Sequence, residues 1–155
     1  SLFSTHLYAK FHAGSCTICH DFFEKEKNGL SFNTHAKRGD VNRCTKCHKS
    51  EVTGFKHSSE WFAQPGLYTS GMDVKTTCEK IMEALHAAFK SKKLLAKELE
   101  THLLTDPRVL WGIEGATPQS GTLPRKKREK DMVEGGMDEW KEQVMAWING
   151  GMKCE

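Results

Sequence analysis

Hydrophobic residues recur at helical spacing in the second half of the chain. Four of them follow Thr76-Thr77 at the i, i+4, i+7, i+8 spacing of an amphipathic helix: Ile81, Leu85, Ala88 and Phe89. Five leucines continue an apolar face through a Lys- and Glu-rich stretch: Leu94, Leu95, Leu99, Leu103 and Leu104. Asp106-Pro107 ends this pattern or starts a new turn. We therefore expect helical structure over most of this region.

A second helical pattern lies close to the C-terminal end. Asp138 is a candidate N-cap, and Gly150-Gly151 is a stop signal. The apolar stripe between them is typical of core packing: Trp140, Val144, Trp147 and Ile148. Residues 112–137 are rich in Gly, Pro and charged residues, so we expect them to be mostly loop.

Residues 1–60 contain few long apolar stretches and are too few to bury an ordinary core. The fold class that we expect is mainly α with much irregular loop. It divides into an N-terminal part (1–60) that packs around a bound group, a linker (61–75) and a small helical C-terminal segment (76–155). Scattered N-terminal residues are candidates to contact that group or to form an ordinary core: Leu7-Tyr8, Phe11, Phe22-Phe23 and Phe32.

Two Cys-x-x-Cys-His sequences identify the bound group. They occupy residues 16–20 and 44–48, and this pentapeptide is the attachment signature of c-type haem. Two thiols at this spacing reach both vinyl groups of one porphyrin, and the next imidazole approaches the iron from the same side. The sequence therefore predicts two haems c, each with one covalent site and one histidine ligand to iron: Cys16, Cys19 and His20 for the first, and Cys44, Cys47 and His48 for the second.

Zinc is the alternative occupant of these cysteine pairs. The pairs are separated by 24 residues, which is near the zinc-ribbon pattern, but zinc does not require a His directly after each pair. An imperfect repeat of about 29 residues favours haem, because a Thr-His pair precedes each motif, at His6 and at His35.

On these motifs, residues 1–60 resemble small multihaem cytochromes c with two histidine ligands per iron. In such proteins a His about eight to ten residues ahead of the motif often supplies the second ligand, which here implies His6 and His35. Other candidates stay open: His12, His57, His86, His102 or one of six methionines. The identity of this ligand matters. A second His gives a six-coordinate iron of low reduction potential, a Met raises the reduction potential, and an open coordination position permits catalysis.

Two cysteines remain outside the motifs, Cys78 and Cys154. Haem c is attached outside the bacterial cytoplasm, so we expect a periplasmic or extracellular protein, in which these two form a disulfide or stay as two free thiols. Residues 76–155 also weakly resemble a haem-free segment of bacterial periplasmic cytochrome-like proteins, and this resemblance supports the disulfide. No signal peptide is visible before Ser1, so we expect a mature or trimmed form.

These features predict a periplasmic electron-transfer protein rather than an enzyme. The formal net charge of +3 gives no indication of nucleic-acid binding, and no apolar stretch approaches the length of a membrane span. The partners that we expect are redox proteins, and the basic run at 124–130 is either a solvated loop or a docking patch for one of them. The alternative is a small haem enzyme, or a redox subunit of a larger oxidoreductase complex, with one displaceable distal ligand.

Overall fold

The computed structural model of the chain describes residues 1–20, 23–26, 29–32, 68, 71–114, 116–117, 121–122 and 132–155. In these ranges the protein is mainly α-helical with connecting loops, which confirms the predicted fold class. Most of the predicted linker and the whole second motif lie outside the described residues.

The N-terminal elements are short helices and one β-ribbon. A π-helical segment (Phe3–Leu7) runs directly into α1 (Tyr8–Phe11), and α2 (Gly14–His20) carries the first Cys-x-x-Cys-His motif. Strands β1 (Phe23–Glu26) and β2 (Gly29–Phe32) pair antiparallel.

Four longer helices follow in the C-terminal part of the chain. They are α3 (Val74–Ala88), α4 (Lys92–Thr105), α5 (Pro107–Glu114) and α6 (Gly136–Asn149). A second antiparallel ribbon of β3 (Ala116–Thr117) and β4 (Gly121–Thr122) lies between α5 and α6 in the chain.

The apolar pattern continues from Phe89 to Leu94, but the helix does not, because α3 and α4 are two separate helices. Phe89 has an extended backbone, with φ −128° and ψ 117°, and so ends α3. The Ser91 side chain then accepts a hydrogen bond of 3.1 Å from the Leu94 amide and caps a new helix. Hydrophobic spacing alone does not reveal this break, because both helices direct their apolar faces into the same core.

The last helix starts three residues earlier than the sequence indicates. Gly135, not Asp138, precedes the first helical residue, and its φ of 92° lies in the left-handed region that glycine adopts without strain. The end at Gly150 is as predicted. Trp140, Val144 and Trp147 are buried, so the stripe serves core packing as expected.

The N-terminal helices share one hydrophobic core with the C-terminal helices. The ring centroids of Phe3 and Trp147 are 5.2 Å apart, and those of Phe11 and Trp140 are 5.7 Å apart. Leu7 is fully buried in the same core. The first 20 residues thus form one packed unit with residues 71–114 and 132–155.

A disulfide joins Cys78 in α3 to Cys154 near the C-terminal end, with a Cα–Cα distance of 5.4 Å. This confirms the bridge and excludes the alternative of two free thiols. The tail is also held by the Trp147 indole, whose Nε1 donates to the Lys153 carbonyl at 2.9 Å. None of the described helices combines the length and apolar character that crossing a membrane requires.

Candidate haem site

A cavity of about 320 Å³ lies between the first motif and the C-terminal helices. This volume is at the lower end of the range for sites that bind small organic molecules. Its walls are mainly apolar. The C-terminal helices contribute Ile81 and Leu85 from α3, Leu99 and Leu103 from α4, Val109 from α5 and Trp140 from α6.

The first motif supplies two of the residues that line this cavity, Cys16 and His20. Their helix, α2, is fixed to α5 by the Ser15 hydroxyl, which donates to the Gly112 carbonyl at 2.8 Å. Cys19 belongs to the same helix. The motif is therefore presented to an apolar space by packing against the C-terminal part of the chain.

Tyr68 packs against the imidazole of His20. The two rings are nearly parallel, with centroids 5.2 Å apart and an interplanar angle of 26°. Tyr68 is itself buried, and its hydroxyl donates to the Phe11 carbonyl at 2.6 Å. Phe11, an expected porphyrin contact, also lines the cavity.

A second histidine, His102 near the end of α4, also lines the cavity. Its ring centroid is 6.3 Å from that of His20, and the ring planes are inclined by 79°. The sequence leaves His102 among several alternatives, because no local motif marks it. Helices α2 and α4 both pack against α5, and this arrangement brings the two imidazoles together.

Asp106 holds the His102 ring. Its Oδ2 accepts from His102 Nδ1 at 3.2 Å and from Arg108 Nη2 at 2.5 Å, while its Oδ1 accepts from the backbone N–H and the Nε of Arg108, both at 2.9 Å. Burial by itself raises the pKa of Asp106, but the hydrogen bonds from Arg108 and His102 outweigh it and hold the pKa well below its ordinary value. Asp106 is therefore a carboxylate at neutral pH. It also caps α5, whose first residue is Pro107.

The other described histidines lie elsewhere. His6, an expected distal ligand, is exposed, as is His86. His12 Nε2 forms a hydrogen bond of 2.8 Å with Thr77 Oγ1, and its ring centroid is 4.5 Å from that of Tyr8. These three residues do not line the cavity, and neither does any of the six methionines, all of which the structure describes.

The remaining predicted site residues, His35, Cys44, Cys47 and His48, lie outside the described residues, as does His57. Within the described ranges, no group of three or more His, Cys, Asp or Glu side chains is arranged to hold a metal ion by itself. The cavity does fit a haem in the chemistry of its donors, since it combines a motif thiol and two imidazoles with apolar walls.

Comparisons of the chain with protein-family models, with curated proteins and with solved structures returned no match.

Proposed function

We propose that this chain is a periplasmic or extracellular electron-transfer protein that carries two covalently bound haems c. The observation that carries this proposal is the placement of Cys16 and His20, which the motif requires on one haem, along one apolar cavity. The matching motif at Cys44–His48 supplies the second site by the same chemistry.

In this proposal the side chains of the first motif attach and orient the haem. Cys16 and Cys19 form the thioethers, and His20 binds iron while Tyr68 limits the rotation of its ring. A haem c would supply reversible one-electron chemistry, in which each iron accepts an electron from a reducing protein and passes it to an oxidising one. The apolar walls exclude water, and a low-polarity environment is one of the means by which a protein tunes haem potential.

The proposal is tested by counting the haems. The full chain is produced in the periplasm of a bacterium that attaches haem c, and its intact mass and haem content are measured under denaturing conditions. We expect two covalent haems per chain. A chain that carries no covalent haem and contains zinc by elemental analysis would overturn the proposal.

Paired variants locate each haem. Cys16→Ala/Cys19→Ala and Cys44→Ala/Cys47→Ala should each retain one covalent haem. Retention of two haems in either variant would contradict the assignment of that motif.

Carbon monoxide distinguishes an electron carrier from a haem enzyme. If both irons have two protein ligands, the spectrum of the reduced protein does not change when carbon monoxide is added. A change in the wild-type spectrum would favour the alternative, a small haem enzyme or a redox subunit with a displaceable ligand.

A further inference from the structure

We infer that His102 is the second axial ligand of the haem attached at Cys16, Cys19 and His20, and that Asp106 positions its imidazole. This inference rests on the proposed function, since it requires a haem at the first motif. It assigns a ligand from the C-terminal segment, far along the chain from the motif that it completes.

His102 lies along the same cavity as His20. Apart from His20, His102 is the one described histidine that lines the cavity. Two bonds of about 2 Å from imidazole nitrogen to metal, with each nitrogen about 1 Å from its ring centre, separate two axial rings by roughly 6 Å. The observed centroid separation of 6.3 Å matches this value.

Asp106 orients the ring of His102. An ionised carboxylate only accepts hydrogen bonds, so the contact with Asp106 places a proton on His102 Nδ1. In the neutral ring the lone pair is then on Nε2. Metal-binding histidines commonly donate their other ring N–H to a carboxylate in this way, which fixes the tautomer and raises the basicity of the ligand.

The groups around His102 are themselves held in place. Arg108 holds Asp106 through both carboxylate oxygens, so the group that orients His102 is itself fixed. The end of α4 is anchored by Trp140, whose Nε1 donates to the Leu103 carbonyl at 2.8 Å. These contacts hold both the ring of His102 and the end of its helix.

The test is the variant His102→Ala in the full chain, with His86→Ala as a matched control, because His86 is an exposed helical histidine outside the cavity. Haem content and carbon monoxide binding by the reduced protein are both measured. We expect His102→Ala to keep two covalent haems and to gain one carbon monoxide per chain relative to wild type, whereas His86→Ala gains none.

Added imidazole should restore the low-spin spectrum of His102→Gly, because it replaces the missing side chain. If His102→Ala does not fold, His102→Met provides the readout: a changed ligand spectrum and a higher reduction potential for one of the two haems. A full haem complement with no gain in carbon monoxide binding, or an unchanged potential in His102→Met, would overturn the ligand assignment and leave the haem count intact. A wild-type chain that contains no covalent haem would instead overturn the proposed function.

The positioning role of Asp106 is tested separately. Asp106→Asn preserves the shape of the side chain but replaces the carboxylate by an amide. Loss of such a partner typically weakens metal binding by about 10- to 100-fold. We therefore expect carbon monoxide to displace the His102 side chain from one haem more readily than in the wild type, by a similar factor. If the displacement and the potential equal those of the wild type, Asp106 has only a structural role.

Discussion

The Cys78–Cys154 disulfide closes a loop that covers half of the chain and allows a quantitative test of the fold. The two cysteines are separated by 76 positions. The entropy lost by the unfolded chain on closing a loop of this size corresponds to about 4.5 kcal/mol at room temperature. We expect the double variant Cys78→Ala/Cys154→Ala to lose most of this stability.

The loss should be large enough to measure directly. For a chain of this size, 1 kcal/mol shifts Tm by roughly 2–4 °C, so the expected decrease is about 10–15 °C. The assay is urea and thermal unfolding followed by far-ultraviolet circular dichroism, with haem content matched between samples. The single variants Cys78→Ala and Cys154→Ala are the controls, because either substitution opens the bridge and their costs should not add in the double variant.

Two results would refute this reasoning. A double variant within about 1 kcal/mol of the wild type would mean that the bridge does not restrict the unfolded chain as the loop-closure argument assumes. A double variant that costs the sum of its single variants would mean that each cysteine contributes by packing and not through the bridge.

Three further substitutions test local features of the fold. Ser91→Ala removes the cap of α4 and should cost about 1 kcal/mol in urea unfolding, while Ser91→Asp should retain the stability. Trp140→Phe deletes the indole donor to the Leu103 carbonyl and should cost about 1–3 kcal/mol; no measurable loss would mean that water replaces this bond. Lys10 lowers the pKa of Glu139 through a hydrogen bond and its charge, so the pair stabilises the fold above the ordinary carboxyl pKa of 4.5 and this contribution is lost as pH falls through the lowered pKa. Glu139→Gln should therefore reduce the difference in Tm between neutral and acidic pH, and an unchanged difference would contradict this assignment.

Much of the helical fold follows from the sequence, because burial repeats along a helix with the period of its turns. The buried positions Ile81, Leu99 and Trp140 all belong to predicted apolar faces. Helix boundaries follow less directly. The break between α3 and α4 depends on the extended backbone of Phe89 and Ser91, and the early start of α6 depends on the left-handed backbone of Gly135.

The candidate site was predictable only in part. The motif identifies Cys16 and His20, because thioether attachment demands a fixed local spacing. It does not reveal His102 or Asp106, since the approach of His102 to His20 depends on how α2 and α4 both pack against α5. In sequence terms, His102 is an ordinary residue of an amphipathic helix. Asp106-Pro107 was recognisable in the sequence as the end of a helical pattern. The hydrogen bond between Asp106 and the imidazole of His102 becomes apparent only in the folded chain.

In the proposed function, His6 and His102 are the two alternative ligands of the first iron, and different observations favour each. The repeat in the sequence predicts His6 by analogy with His35. The folded chain places His6 on an exposed face of the π-helical segment. His102 instead shares the cavity with His20.

The variant His6→Ala separates these two expectations, because an exposed side chain can be removed with little effect on packing. If His102 binds the iron of the first haem, that haem stays low-spin and unreactive to carbon monoxide in His6→Ala. The second protein ligand of the first haem would then come from the C-terminal segment. The repeated Thr-His pairs before the two motifs would therefore not have equivalent roles as ligands. If His6→Ala opens the first iron and His102→Ala does not, the repeat gives the ligand correctly, and the pairing of His102 with Asp106 serves only to join α4 to α5.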